Sequence, residues 1–256
     1  MLNTGIDIGS RTIELVVLKD NEIIETKQRN SGFDPMARAM EMLQGVNHDH
    51  IMATGYGRHL FELALDAPTV TEIKAYAVGA KVLFPEVRTI LDIGGQDSKA
   101  ISLNDDGKVI KFEMNDRCAA GTGKFLEIMA HTLGYGLDQF GAAALKATNG
   151  MQISSMCTVF AESEVTSLVA RGEDRQDIAL GLHRSVVQRA LSMLKRVTVK
   201  APIMFAGGVA RNPCIHHLLE EALCTDILLP ENPQMVGALG AATLMPSQRI
   251  TSTAIA

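Results

Sequence analysis

The sequence lacks the features of a nucleic-acid-binding or membrane-spanning protein. Its formal net charge is −5, and it contains no run of basic residues that would bind a phosphate backbone. No apolar stretch reaches the ~18 residues that a membrane span requires. The first residues, MLNTGIDIGS, lack the charged and apolar blocks of a signal peptide. We therefore expect a cytoplasmic protein without nucleic-acid or membrane partners.

Cysteines are few and widely spaced. The four are Cys118, Cys157, Cys214 and Cys224, and none has a C-x-x-C partner. Disulfides are not expected in a reducing cytosol, so a buried thiol and a metal ligand are the open interpretations. Apolar residues make up 46% and charged residues 21% of the 256 residues, as in one large or two modest globular domains.

The chain contains two similar segments, which begin at Thr4 (TGIDIGSRTIELVVLKDNEII) and at Ile90 (ILDIGGQDSKAISLNDDGKVI). Each has an apolar run, Asp-Ile-Gly, a polar turn and two further β-like runs, as in consecutive hairpins. Internal repeats decide the fold, and this unit is too long for a solenoid. The sequence therefore predicts two similar α/β halves.

Helical periodicity follows the hairpins. Apolar spacing predicts helices over 34–43, 71–83 and 176–197, the first with a proline at its first helical position. Residues 201–206 (APIMFA) predict a buried strand that ends in a pair of glycines. Strands and helices together indicate an α/β protein.

Three glycine segments indicate a nucleotide site. In DIGS (7–10) and DIGG (92–95) an aspartate ends a strand just before glycine, whose backbone N–H groups can bind an anion. An aspartate beside a phosphate requires a cation, usually Mg²⁺. The pair predicts a site that binds the phosphates of ATP from both sides, with two unrelated β-turns as the alternative. A third segment, FAGGVARN (205–212), favours the nucleotide site because its small residues would allow adenine to approach the backbone.

In these segments the chain resembles the acetate and sugar kinase, heat-shock chaperone and actin superfamily. The resemblance implies a duplicated ribonuclease-H-like (actin-like ATPase) fold, with two halves around a nucleotide cleft. We expect residues 1–86 with 237–256 to form the first half and residues 87–236 the second. The resemblance also implies that GALGAA (237–242) is a connecting helix, close-packed through small residues.

The segment NDRCAAGTGKFLE (115–127) contains Gly-Lys but is not a Walker phosphate loop. Cys118 takes the place of the first glycine, and Phe125 takes the place of the Ser or Thr. Cys118 and Cys157 both precede helix-like runs, and helix N-termini stabilise thiolates and anionic clusters.

Two thiolates from one chain do not complete a four-ligand iron-sulfur cluster, but a two-fold dimer presents the same two residues twice. The alternative for Cys118 and Cys157 is a small buried hydrophobe. We predict that Cys214 and Cys224 are small buried hydrophobes of this kind.

The two cysteine segments, 115–127 and SSMCTVFAESEV (154–165), resemble those of the 2-hydroxyacyl-CoA dehydratase activators and the ATPase subunits of benzoyl-CoA reductase. TGYGR (54–58), TEI (71–73) and DIGGQDSK (92–99) match as well, so the resemblance extends from Gly5 to about Ala242. Ala75-Tyr76 replaces the more common Cys-His, and we infer that this position is not essential to a cluster. The tail after Met245 matches nothing and is expected to fray.

The resemblance implies an ATP-hydrolysing homodimer with one 4Fe-4S cluster shared between its subunits. Such proteins take an electron from ferredoxin or flavodoxin. They use ATP and Mg²⁺ to pass it to a 2-hydroxyacyl-CoA dehydratase or a related acyl-CoA reductase. The sequence does not identify the acyl-CoA or the donor.

The expected roles are divided between the glycine segments and the cysteines. Asp7 and Asp92 hold Mg²⁺ through water, Gln96 orients the attacking water, and Cys118 and Cys157 bind the cluster. The other predicted nucleotide-binding residues are Gly9, Ser10, Arg11, Thr12, Gly94, Gly95, Gly207, Gly208 and Asn212. Four helix residues are either functional or solvated charges: Glu72, Lys124, Glu127 and Glu162.

Two other functions fit a nucleotide-binding fold. A small-molecule kinase, for a sugar or a carboxylate, requires a catalytic carboxylate in the cleft and no cluster. A regulatory or chaperone-like module requires neither. Iron content discriminates, because an activator purified without oxygen is expected to be brown and a kinase colourless.

Overall fold

The structure is a computed structural model that describes residues 1–154 and 157–245. Two parts of the sequence analysis lie outside these ranges, namely Ser155 and Met156 of the second cysteine segment and the tail that was expected to fray. Within the described residues no helix is long and apolar enough to cross a membrane.

The described residues contain nine strands, which form two sheets. The first sheet has the order β3-β2-β1-β4 and contains β1 (Leu2–Ile8), β2 (Thr12–Lys19), β3 (Glu22–Asn30) and β4 (His50–Thr54). The second has the order β7-β6-β5-β8-β9 and contains β5 (Thr89–Ile93), β6 (Ser98–Leu103), β7 (Val109–Asn115), β8 (Ile203–Ala206) and β9 (Ile227–Leu228).

The helices, in chain order, are α1 (Pro35–Leu43), α2 (Arg58–Leu65), α3 (Glu72–Leu83), α4 (Gly123–Thr132), α5 (Leu137–Ala144), α6 (Thr158–Ala170), α7 (Arg175–Leu194), α8 (Pro213–Leu223) and α9 (Val236–Thr243). A short 3-10 helix spans Gly208–Arg211. The helices predicted over 34–43, 71–83 and 176–197 are therefore confirmed as α1, α3 and α7.

Helix and strand ends differ from the predictions by a few residues. Helix α7 ends at Leu194, although Val197 is still buried, because the chain continues in a turn in which Val197 N donates to Leu194 O. Strand β8 begins at Ile203, two residues later than predicted. Pro202, which precedes it, has no N–H to give to a β-ladder.

The chain divides into two compact units. The first contains residues 1–79 and the C-terminal segment from Gly237, and the second contains residues 80–236. The boundary between residues 79 and 80 falls inside α3, a few residues before the boundary between 86 and 87 that we expected from the sequence.

The two sheets confirm the predicted duplication. In each, three antiparallel strands are followed by a strand parallel to the first, with β1, β2, β3 and β4 matching β5, β6, β7 and β8. The cross-strand register is also the same, since Asp7 faces Glu14 and Asp92 faces Lys99. The repeat seen in the sequence is thus a repeat of hairpin geometry.

Each unit has its own apolar core. In the first unit, residues of β1 and β2 such as Ile6 and Leu15 pack with Ala39 of α1 and Phe61 of α2. In the second, β5 and β8 pack with α4 to α8 in a larger cluster. At about 25 cal/mol per Å² of apolar surface, this burial is the main stabilising term of both units.

Helix α9 confirms the close packing predicted for residues 237–242. A Cβ at Gly240 would overlap the carbonyl oxygen of Ala75, and a Cβ at Gly5 would overlap that of Ala238. The backbone of α9 therefore lies directly against α3 and β1, at a distance that only glycine permits.

Candidate functional site

The first turn, residues 9–12, joins β1 to β2. Gly9 N donates to Thr12 O at 3.0 Å. The buried Ser31, which directly follows β3, holds the turn, with its Oγ donating to Gly9 O at 2.7 Å. Asp7, which ends β1, is only 6% exposed. The turn residues are partly exposed and available to a ligand, and Ser31 was not singled out in the sequence.

The second turn, residues 94–97, joins β5 to β6 in the same way. Gly94 N donates to Asp97 O at 2.9 Å, just as Gly9 N donates to Thr12 O in the first turn. Gln96 is exposed at its tip, which is the accessibility that its predicted role requires. Because both turns close with the same hydrogen bond, they present their backbone N–H groups in the same way.

The second turn is bonded directly to the start of α4. Gly123 N donates to Gly94 O at 2.9 Å, and Lys124 N donates to Gly95 O at 2.8 Å. Ser98 Oγ donates to Gly121 O at 3.3 Å, just before the helix. These bonds satisfy N–H groups that a helix leaves without an intrahelical acceptor, and they join the turn to the segment that carries Cys118.

Each of the two aspartates packs against a glycine at the end of the neighbouring parallel strand. A Cβ at Gly55 would overlap Asp7 Oδ1, and a Cβ at Gly207 would lie 2.5 Å from Asp92 Oδ1. Both glycines have positive φ, at 89° and 84°. TGYGR (54–58) in the first unit therefore has the same place relative to its aspartate as AGGVAR (206–211) has in the second.

Lys99 is a residue of the site that the sequence analysis missed. Its Nζ lies 3.1 Å from Asp92 Oδ2 and 2.5 Å from Asp97 Oδ2, and Lys99 and Asp92 are 2% and 1% exposed. The strand pairing of β5 with β6 brings this cation to the aspartate. The Mg²⁺ role of Asp92 stays a prediction, and the structure adds an ammonium that shares its carboxylate.

The third turn, residues 207–212, contains the predicted nucleoside residues. Gly207 N donates to Pro233 O at 2.9 Å, and Gly208 is exposed. The Asn212 side chain caps α8, with Oδ1 accepting from Cys214 N at 3.0 Å and from Ile215 N at 3.1 Å. Its contribution to a nucleoside site is therefore to fix the turn.

His183 supports the third turn from α7 and was also missed. The buried ring donates from Nδ1 to Ala179 O at 2.7 Å, and its Nε2 accepts from Asn212 Nδ2 at 2.9 Å. Burial lowers the pKa of His183 to about 4, so the ring is neutral at physiological pH. A neutral ring is what this pair of hydrogen bonds requires.

Cys157 is the N-cap of α6 and is exposed, as the sequence predicted. Cys118 is also exposed. It lies five residues before the start of α4, whose N-cap is Thr122. The two thiols belong to the same unit, in which α4 packs against α6. Accessible thiols at or before helix N-termini suit the ligands of an anionic cluster.

The other two cysteines differ from each other. Cys214 is buried as predicted, and burial raises the pKa of its thiol to about 12. Cys224 is exposed, so the prediction of a buried thiol is wrong for this residue. It lies at the C-cap of α8 with φ 51°, where the chain leaves the helix and turns its side chain out of the core.

The charged helix residues whose roles were open lie near the surface. Lys124 Nζ is 3.2 Å from Glu127 Oε2, and both side chains are partly exposed. Glu162 is exposed on α6. In the described part of the chain, no three His, Cys, Asp or Glu side chains form a group that could hold a metal ion.

One protein family matches almost the whole chain. A profile described as the BadF/BadG/BcrA/BcrD ATPase family matches residues 4–244. The chain is 43% identical over 251 residues to the activator of lactoyl-CoA dehydratase from Anaerotignum propionicum, covering 94% of this chain and 96% of that protein.

Two solved structures of activators are similar over almost the whole chain. One is component A of the Acidaminococcus fermentans (R)-2-hydroxyglutaryl-CoA dehydratase, with a TM-score of 0.88 and 39% identity, covering 94% of this chain and 96% of that one. The other is the activator of the Clostridium difficile 2-hydroxyisocaproyl-CoA dehydratase with bound ADPNP, with a TM-score of 0.87 and 38% identity, covering 94% and 93%. The predicted actin-like ATPase fold is confirmed, and this chain belongs to the BadF/BadG/BcrA/BcrD ATPase family.

Proposed function

We propose that the chain is an ATP-dependent activator that delivers a low-potential electron to a 2-hydroxyacyl-CoA dehydratase or a related acyl-CoA reductase. One observation carries the proposal. The second turn, which would contact phosphate, accepts two backbone hydrogen bonds from the start of α4, five residues after the exposed Cys118. A nucleotide that moves the turn would therefore move a cluster ligand with it.

Cys118 and Cys157 would hold one 4Fe-4S cluster together with the same residues of a second copy. Both thiols are exposed, and Val159 and Phe160 next to Cys157 are exposed apolar residues at 66% and 68%. Apolar side chains on a surface favour association with another protein, and a symmetric homodimer pairs this surface with itself. A bound cluster would supply one-electron transfer.

The glycine turns would bind ATP and ADP. Backbone N–H groups of residues 9–12 and 94–95 would contact the phosphates, and the third turn would contact the nucleoside. Asp7, at the end of β1, would hold Mg²⁺ through water. Gln96, exposed at the tip of the second turn, would orient the attacking water.

The partners follow from the relatives. The relatives include activators of dehydratases and a subunit of benzoyl-CoA reductase, so a dehydratase or a reductase component would accept the electron. Ferredoxin or flavodoxin in the cytoplasm would supply it. The Cys118 and Cys157 surface would meet both, since the electron enters and leaves through the cluster.

Anaerobic purification of the wild type tests the proposal. We expect a brown dimer with about four iron atoms and a matching amount of sulfide. Cys118→Ser and Cys157→Ser should each lose the colour while keeping the affinity for ADP, because the glycine turns are unchanged. Cys224→Ser is the matched control, since it removes an exposed thiol from the end of α8 and should leave the iron in place.

A colourless monomer that still hydrolyses ATP would contradict the activator function. It would favour the small-molecule kinase instead. An iron-loaded dimer whose iron is insensitive to both Cys118→Ser and Cys157→Ser would place the cluster elsewhere.

A further inference from the structure

The two halves differ in charge at one pair of equivalent positions. In the first half Asp7 faces Glu14 across β1 and β2, and in the second Asp92 faces Lys99 across β5 and β6. Directly opposite residues in antiparallel strands have their side chains on the same face of the sheet, in contact range. The first half therefore pairs two acids where the second pairs an acid with a base.

Lys99 bridges the two ends of the second turn. Its ammonium contacts Asp92 at the end of β5 and Asp97 at the last position of the turn. Asp97 is 29% exposed, so one side of the bridge opens toward the turn and the other is in the sheet. Between these two carboxylates lie Gly94 and Gly95, whose carbonyls accept from α4.

Burying a lysine at this position has a large desolvation cost. Desolvation of an ammonium and a carboxylate offsets most of their attraction, and apolar residues of similar volume often stabilise a core as well or better. Ala100 and Ile101, the next two residues of β6, are completely buried. Ile101 is on the same face of the sheet as Lys99, so an apolar side chain at residue 99 would be compatible with that face. Stability therefore gives no reason for the pair as a whole, although Asp92, once buried, needs a cation beside it.

We infer that Lys99 is a built-in cation of the nucleotide site. It offsets one of the two negative charges of Asp92 and Asp97, fixes the ends of the second turn, and takes the place of a divalent cation on this half. Mg²⁺ is then left to the half that contains Asp7. Lys99 is a positioning residue, and its role rests on the proposed function of the second turn as a phosphate-binding turn.

Replacement of Lys99 by Met should create a divalent-cation site. Once the ammonium is gone, Asp92 and Asp97 lie together without a shared cation, and oxygen ligands of this kind bind Mg²⁺. In the absence of nucleotide, millimolar MgCl₂ should raise the Tm of Lys99→Met by several degrees more than it raises that of the wild type. In Lys99→Met with Asp97→Asn, which lacks one carboxylate, this additional rise should disappear.

Nucleotide affinity gives a second, independent measurement. Lys99→Met should bind ADP at least tenfold more weakly than the wild type, and Lys99→Arg, which keeps the charge, should stay within about threefold. If Lys99→Met does not fold, Asp97→Asn is the variant to measure, because it opens only the partly exposed side of the bridge. Asp97→Asn should bind ADP several-fold more weakly, with an unchanged Mg²⁺ concentration for half-maximal binding.

The inference is overturned if Lys99→Met binds ADP like the wild type and gains no additional stability from MgCl₂, or if Asp97→Asn leaves ADP binding unchanged. These measurements use no iron, so they separate this role from the proposed electron transfer. An iron-free protein with the expected responses would contradict the activator function and still support the role of Lys99.

Discussion

Gly207 lies against Asp92 so closely that a Cβ at residue 207 would be 2.5 Å from Asp92 Oδ1 and would overlap the carbonyl oxygen of Ile93. Its φ of 84° is also a conformation that other residues rarely adopt. We expect Gly207→Ala to lower the free energy of unfolding by about 2–4 kcal/mol and to weaken ADP binding. Urea denaturation and a nucleotide titration measure the two effects.

Gly208→Ala is the control for this variant. A Cβ at Gly208 would meet Gln234 Nε2 at 3.7 Å, an ordinary van der Waals contact. Its free energy of unfolding should change by less than about 1 kcal/mol. Equal losses in the two variants would mean that the Asp92 contact does not matter.

The bond from Lys124 N to Gly95 O should transmit the nucleotide state to Cys118. Lys124→Pro removes this N–H, and proline is tolerated in the first turn of a helix, so α4 itself should persist. Lys124→Ala keeps the N–H and loses only a partly exposed ion pair, worth about 0.5 kcal/mol or less.

The readout is the rate at which Cys118 is alkylated, in a Cys157→Ser and Cys224→Ser background. Addition of ADPNP should change this rate in the background protein and in Lys124→Ala but not in Lys124→Pro. A nucleotide effect of normal size in the proline variant would show that the signal takes another route.

The four thiols should differ in reactivity. In iron-free protein at pH 8, Cys118, Cys157 and Cys224 are exposed and should react rapidly with a thiol reagent. Cys214 should react only after unfolding, because it is buried and its thiol pKa is raised to about 12. Iron loading should protect Cys118 and Cys157 and leave Cys224 reactive. Rapid reaction of Cys214 in the folded protein would contradict the described packing of α8.

His183 should make the protein less stable in acid. Its pKa is lowered from 6.5 to about 4 in the folded protein, so the unfolded chain binds the proton more tightly. Stability from this residue is complete above pH 6.5 and decreases as the pH falls toward 4. The loss between pH 7 and pH 5 is roughly 2 kcal/mol.

Urea denaturation at pH 7 and pH 5 measures this loss. His183→Gln should decrease the difference between the two free energies of unfolding, whereas His131→Gln, at an exposed position, should leave it unchanged. An identical pH dependence in His183→Gln and the wild type would mean that folding does not lower the pKa of this ring.

The hairpins, the duplication and the glycine turns were predictable because they depend on local sequence. An Asp-Ile-Gly segment after an apolar run predicts where a strand ends, and the repeat predicts that the same turn occurs twice. The helix predictions for α1, α3 and α7 succeeded for the same reason, since periodicity and capping residues act within the element.

Residues whose roles come from tertiary contacts were not predictable in this way. Lys99 and Asp92 are seven positions apart, and only the register of β5 with β6 makes them a pair. His183 and Asn212 meet because α7 packs beside α8. The exposure of Cys224 depends on a left-handed residue at a helix end, which an apolar pattern does not reveal.

The register shared by the two hairpins also has an evolutionary consequence. A duplicated ancestor would have carried one residue type at both places, yet today a carboxylate follows Asp7 seven positions later and an ammonium follows Asp92. Replacing Glu14 by lysine would give the first hairpin the same opposed charges as the second and leave the strand register to the unchanged residues around it. Among the buried positions at which the two hairpins differ, this one reverses the sign of a charge, so the same backbone scaffold surrounds its first aspartate with different electrostatics in the two units.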